Sequence, residues 1–242
     1  MLTSKPKLRG LLFDKDGTVI DYWKTWLPIN REVATYAASG DPQLRDELLR
    51  LGGQDPETHH VVAGSAFAGA SMEEIVALLA GHLGARAPKD LSTAVAQLFR
   101  DGGARTSVLI DGVRETLVTL KRRGFVLGLA TNDTFAGLEA SLARHDVLEL
   151  FVFSVGCDSG HGAKPEAGMV HAFCAATGVA ASATAVIGDS IHDLEMAERA
   201  GAALKVAVLS GTSARADLAP HADLVLGSVA EMAGHGWFQR AG

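Results

Sequence analysis

The sequence predicts a doubly wound α/β fold, a parallel sheet covered by helices on both faces, with an all-helical unit inserted behind its first strand. Three observations predict it. Six short apolar runs recur along the chain, "LRGLLF", "FVLGLAT", "LFVFSVG", "ATAVIG", "ALKVAVL" and "ADLVLG", and strands apolar without alternation are buried on both faces. Helical patterns separate these runs, which is how a parallel sheet is shielded from water. Between about Tyr22 and Thr106 no strand pattern occurs at all.

Taken in order, the first run ends in "DKDGT", and the helical stretches "LPINREVATYAAS", "PQLRDELLRL", "SMEEIVALLAGHLG" and "LSTAVAQLF" follow. Residues 22–105 therefore read as a cap, with residues 1–21 and 106–242 as the α/β core. "DGGAR", Asp101 to Arg105, reads as the hinge by which the chain returns. In "GVRETLVTLKRRG", Val113, Leu117 and Leu120 share one helix face and Gly124 supplies the stop; "TFAGLEASLARHD" is the next helix. From Ala167 to Gly188 the chain carries no Asp, Glu, Lys or Arg. The period changes at Gly178, so helix, turn and buried strand describe this segment better than a membrane span.

With 242 residues, 48% hydrophobic and 21% charged, the chain is large enough for a substantial core and a smaller second domain. A net charge of -6 from mixed signs offers no field to attract nucleic acid or an anionic membrane, and neither is expected as a partner. The apolar run near the N-terminus is too short for a signal peptide. Cys157 and Cys174 lack metal-like spacing and read as reduced thiols of a cytoplasmic protein.

In an open parallel sheet the active crevice lies beyond the carboxyl ends of the strands. The first strand ends at Asp14, Asp16 and Thr18, the second at Thr131 and Asn132; a later segment presents Lys164, and the next strand ends at Asp189 with Asp193 four residues on. Three or four carboxylates converging on one point repel unless a cation sits among them, and hard oxygen donors without His or Cys suit Mg²⁺. Two apart at an extended strand end, Asp14 and Asp16 can face one ligand while Lys15 points elsewhere. Thr131, Asn132 and Lys164 supply the donors and the point charge that a phosphoryl group wants. Pro165 suits a helix's first turn, so an anion at Lys164 would also meet free backbone N–H groups. Each residue has a plainer reading: Asp-x-Asp-Gly is a common turn, Lys164 a solvated loop lysine, Asp189 a helix cap.

Around this set, His161 and His192 stand near the later motifs, and Trp23 and Trp26 follow the first. His59 and His60, in "GGQDPETHHVV", and Arg45 are the cap's candidates for selecting substrate, against the alternative of a surface loop and solvated helix cations.

"LLFDKDGT", "GLATND", "GAKPEAG" and "VIGDSIHD" resemble, in type and order, the four motifs of the haloacid dehalogenase superfamily, and the helical interval after the first is similar to the cap of its phosphoglycolate-phosphatase-like branch. The resemblance implies a Rossmann-like core and a phosphatase of a small phosphorylated metabolite, such as a phosphoglycolate-like monoester. Asp14 would be the nucleophile and Asp16 the general acid and base. Mg²⁺ would be held by the Asp14 carboxylate, the Asp16 carbonyl and Asp189, with Asp193 and Thr18 in support and Thr131, Asn132 and Lys164 on the phosphoryl oxygens. The superfamily's dehalogenases lack the second aspartate, so Asp16 favours a phosphate ester. A sugar-phosphate mutase on the same core keeps every residue named; a receiver-like signalling domain and a non-catalytic phosphate-binding protein are more distant alternatives.

Overall fold

Strands β1 (Gly10–Phe13), β2 (Val126–Ala130), β3 (Phe153–Val155), β4 (Thr184–Gly188), β5 (Leu204–Val208) and β6 (Leu224–Leu226) form one parallel sheet in the order β3-β2-β1-β4-β5-β6. The structure, a computed structural model, describes residues 7–239. β1 is central, with Phe13 in register with Leu129 of β2 and Ile187 of β4. Strand order reverses direction about β1, so the crevice that a doubly wound sheet offers a ligand opens at the carboxyl ends of β1 and β4.

Alternation along the strands feeds two cores. Leu11, Phe13, Leu129 and Ile187 meet α6 (Val113–Arg122) and α7 (Phe135–Leu142) through Val113, Leu117, Leu138 and Leu142. On the other face Leu12, Ala130 and Val186 meet α8 (Gly168–Thr177) and α9 (Ile191–Arg199) through Met169, Phe173 and Met196. The Phe173 ring fills the space left by Gly128, where a Cβ would stand 2.6 Å from its Cδ2. A last short helix, α10 (Arg215–Leu218), precedes β6.

Between β1 and β2 the chain forms α1 (Tyr22–Ala37), α2 (Pro42–Leu51), α3 (Ala66–Gly69), α4 (Met72–Leu83) and α5 (Leu91–Thr106). Within residues 22–105 the nearest approach to β structure is one bridge, Gln54 to Val61. This insertion has its own apolar core, including Ile29, Val33, Leu48, Leu79 and Val95. Asp21 caps α1 and Asp41 caps α2 by accepting from backbone N–H groups, and Ser71 with Glu74 forms a reciprocal box at α4.

One expectation changes. "DGGAR" is no hinge: Asp101–Arg105 lies in the last turns of α5. Its glycines serve packing, since a Cβ at Gly102 would fall 2.7 Å from Ile29 Cγ1 of α1. The Ala167–Gly188 segment is helix, turn and strand as its period predicts, with Gly178 left-handed at φ 69°. Among the described residues no helix is long and apolar enough to cross a membrane.

Candidate active site

At the carboxyl end of β1 the Asp14 N–H donates to the Ile187 carbonyl (2.8 Å), which fixes Asp14 beside the end of β4 and hence beside Asp189. Lys164 Nζ donates to Asp14 Oδ1 and, at 2.7 Å, to Asp193 Oδ1. Oxygens of Asp14, Asp189 and Asp193 all lie within 4.8 Å of one another, and all three residues are buried. Asp193 is held from behind by Ser190, whose hydroxyl and N–H donate to Oδ2 at 2.6 and 3.1 Å; Ser190, not Asp189, caps α9. Asp189 Oδ2 accepts from the Thr212 N–H at 3.2 Å.

Three acids share one ammonium, and the imbalance shows in the proton affinities of Asp14 and Asp189. Burial, with Asp193 and Asp16 adding to it against the pull of Lys164, lifts Asp14 to about 7. Burial, Asp14 and Asp193 lift Asp189 well above the ordinary carboxylate value. Lys164 resists the loss of charge that burial favours because Asp14 and Asp193 face it, and it titrates above an ordinary lysine.

This donor set fits a hard divalent cation. Carboxylate oxygens crowd together without His or Cys, and two glycines clear the ground around Asp189: a Cβ would fall 2.6 Å from Asp189 Oδ2 at Gly17 and 1.7 Å from it at Gly211. Gly17 also takes a left-handed φ of 80°, turning the chain sharply after Asp16.

Asp16 lines the same cleft as Asp14, Thr131, Asn132, Lys164, Asp189 and Asp193. Lys15 does not point away from the pair, as strand alternation predicts. The extended conformation ends at Phe13, and the turn that follows brings Lys15 Nζ to 3.1 Å from Asp16 Oδ2 and 2.6 Å from Asp133 Oδ2. Trp26 Nε1 donates to Asp16 Oδ1 at 2.6 Å, and Lys15 Nζ stands 4.9 Å from the Trp26 ring centroid. Burial raises the Asp16 carboxyl while Lys15 opposes it. Lys15 and Asp133 are the neighbours of Asp16 that sequence reasoning misses, whereas Trp26, noted there beside the first motif, does line the cleft. The available signal is a lysine set between two aspartates directly after an apolar run, which places its charge near the buried sheet and calls for counter-charges there.

Thr131 is buried, its Oγ1 accepting from the Asp133 N–H at 3.1 Å. Asn132 departs from its expected part: Oδ1 accepts from the Lys164 N–H (2.8 Å) while Nδ2 donates to the carbonyls of Lys164 and Gly69 at 3.3 Å each. It braces the Lys164 loop against α3 and has no amide donor left over for a phosphoryl oxygen. Pro165 follows a cis peptide bond in a loop and lies ahead of α8, which begins at Gly168, so it opens no helix beside Lys164. Thr18 is fully buried but does not line the cleft.

The cap candidates are not brought in. His59 and His60 are exposed, His60 stacking on Trp23 with ring centroids 6.4 Å apart, and Arg45 pairs with Asp46 at 2.6 Å. The polar break that carries both histidines runs over the insertion's surface, and Arg45 on α2 is satisfied by its neighbour. Tyr22, Trp26, Asn30, Phe67, Ile75 and Phe99 face the cleft instead, and His192 lines it from the core side while His161 does not.

The family model of haloacid dehalogenase-like hydrolases matches residues 8–201, and the chain belongs to that family. It is 25% identical over 194 residues to a phosphoglycolate phosphatase of Aliivibrio fischeri, covering 80% of this chain and 81% of the relative. It is 26% identical over 195 residues to the N-acetylmuramic acid 6-phosphate phosphatase of Pseudomonas aeruginosa, covering 81% and 79%. A shorter match, 35% over 96 residues, spans 40% of this chain and 42% of a Dickeya dadantii protein named Probable phosphatase IndB. Among solved structures, CbbY of Rhodobacter sphaeroides in complex with phosphate shares the fold (TM-score 0.67, 21% identity, 93% of this chain and 96% of that one). So does a hydrolase from Pseudomonas syringae (TM-score 0.68, 19% identity, 94% and 97%).

Proposed function

We propose that this hydrolase is a Mg²⁺-dependent phosphatase of a small phosphorylated metabolite that works through an aspartyl-phosphate on Asp14, with residues 22–105 as its cap. The observation that carries the reading is the meeting of Asp14, Lys164, Asp189 and Asp193 at one sheet edge. The relatives named as phosphatases of phosphorylated small molecules support the same substrate class.

In this reading an Asp14 oxygen forms a bond to phosphorus as the ester P–O bond breaks, and Asp16 gives its proton to the departing alkoxide. Asp16 then takes a proton from the water that cleaves the aspartyl-phosphate, which releases phosphate and restores Asp14. Trp26 and Lys15 hold the Asp16 carboxylate in place through both steps. Lys164 balances Asp14 and Asp193 and offers its remaining hydrogen to a phosphoryl oxygen; the Thr131 hydroxyl offers another. Mg²⁺ would be held by Asp14 and Asp189 with the Asp16 carbonyl, Asp193 standing behind, and when bound it supplies positive charge against that of the transferring group.

Phosphate release from p-nitrophenyl phosphate tests this directly. Turnover with Mg²⁺ should vanish with EDTA, and Asp14→Asn should lose several orders of magnitude in kcat while keeping the native circular dichroism. Metal-independent turnover, or near-normal rates in the variant, would refute it. Phosphoryl transfer between sugar hydroxyls without net release of phosphate would mark a mutase.

A further inference from the structure

We infer that the alcohol half of the substrate is uncharged and apolar, an aryl- or alkyl-bearing alcohol rather than a carboxylic acid or a polyol; the inference rests on the phosphatase reading above. The wall opposite the acid cluster is built by Tyr22, Trp26, Phe67, Met72, Ile75 and Phe99, all from the helical insertion. The Trp26 and Phe99 rings lie 5.9 Å apart and make a continuous aromatic surface. A leaving group seated there trades water for ring faces and methyl groups.

The side-chain donors on that side of the cleft are already engaged. The Tyr22 hydroxyl donates to the Phe67 carbonyl at 2.7 Å. Asn30 Nδ2 donates to Gln54 Oε1 at 3.0 Å and to Tyr22 Oη at 3.5 Å, and the Trp26 indole N–H is held by Asp16. No donor of this set is left for the oxygens of a substrate carboxylate or polyol.

Charge argues the same way. Among the described residues that line the cleft, the only basic side chains are Lys164 and His192. Lys164 is taken up by Asp14, Asp193 and, in the reading above, the phosphoryl group, and His192 stands at the seam of core and insertion, where a Cβ on Gly69 would lie 3.7 Å from its Nδ1. Five carboxyl groups, those of Asp14, Asp16, Asp133, Asp189 and Asp193, surround two ammoniums, Lys15 and Lys164, so the field of the cleft holds no cation to spare for a further anion. A second anionic group on the leaving alcohol would enter that field unpaired and against an apolar wall.

The test compares 2-phenylethyl phosphate and n-butyl phosphate with 2-phosphoglycolate and glycerol 3-phosphate, alkyl esters of like chemistry at phosphorus. The expected result is a kcat/KM for 2-phenylethyl phosphate at least about tenfold above that for 2-phosphoglycolate, carried mainly by KM, with the advantage shrinking in Phe99→Ala. Cleavage of 2-phosphoglycolate as fast or faster, by an enzyme that Asp14→Asn silences, would overturn the inference and leave the phosphatase reading standing. A readout without turnover is the quenching of tryptophan fluorescence by 3-phenylpropylphosphonate and by 3-phosphonopropionate. The first should bind at least about tenfold more tightly; equal or tighter binding of the second overturns the inference whether or not any ester is hydrolysed.

Discussion

Lys15 is 0% exposed, yet it carries a charge within reach of two carboxylates and an indole ring. A buried ammonium persists only when its partners offset lost hydration, and here they do: burial alone would lower its proton affinity, but Asp133 and Asp16 together raise it. The arrangement ties the strand-end loop to α7 through Asp133 and Ser141 and to α1 through Trp26. Lys15→Met should therefore destabilise the protein by about 3 kcal/mol, because it leaves Asp16 and Asp133 facing each other without a cation. Urea unfolding gives the measurement, and Lys15→Met combined with Asp133→Asn should recover part of the loss. A double variant no better than the single one would show that the pair is not what stabilises the loop.

Helix α5 owes its place to what it lacks. A Cβ at Gly102 would meet Ile29 Cγ1 at 2.7 Å and Cδ1 at 2.9 Å, and Ile29 is fully buried with a stiff, branched side chain. Alanine is the better helix former, but α1 and α5 must separate to admit it. Gly102→Ala is expected to cost about 1–2 kcal/mol net, whereas Gly81→Ala in α4, where nothing lies within 4 Å, should stabilise by about 0.5–1 kcal/mol. Opposite shifts of the two urea midpoints would confirm the packing role; parallel shifts would leave propensity as the only effect.

The same glycines mark where sequence reasoning stops. A Gly-Gly pair in a polar context reads as a turn, and only the neighbouring helix reveals that it is a close contact. The six strands are legible because burial on both faces leaves an uninterrupted apolar signature, and Asp14, Thr131, Asp189 and Asp193 are legible because they stand where those signatures end. The pairing of Lys15 with Asp133 is not, since partners 118 residues apart in the chain leave no local pattern; Trp26 stands out beside the first motif, but its bond to Asp16 does not. The aromatic wall is illegible for another reason: Phe67, Ile75 and Phe99 come from three separate helices, α3, α4 and α5, and an apolar residue on a helix reads the same whether it faces a core or a cleft.

At the scale of the whole molecule, the acid cluster is expected to couple folding to pH and, if it holds the proposed cation, to that cation as well. Asp14 is raised to about 7 and Asp189 well above the ordinary carboxylate value, in both chiefly by burial. Between the ordinary carboxylate value and about 7 the native state thus keeps protons that the unfolded chain has released, and stability falls as pH climbs through that window. Lys164, raised above the ordinary lysine value, contributes a constant amount throughout it and does not alter the sign. A divalent cation competes with those protons and relieves the repulsion that replaces them. Its stabilising effect should therefore be small near pH 4.5 and largest at pH 8, where about a hundredfold excess over Kd would raise Tm by roughly 5–10 °C. Asp189→Asn, which keeps an oxygen to accept from the Thr212 N–H, should lose that increment while melting no lower than the metal-free parent at pH 8. Thermal melts at the two pH values, with Mg²⁺ and with EDTA, separate the outcomes: a pH-independent increment, or one that survives in Asp189→Asn, would mean that the cation binds elsewhere and that these buried carboxylates stand together without it.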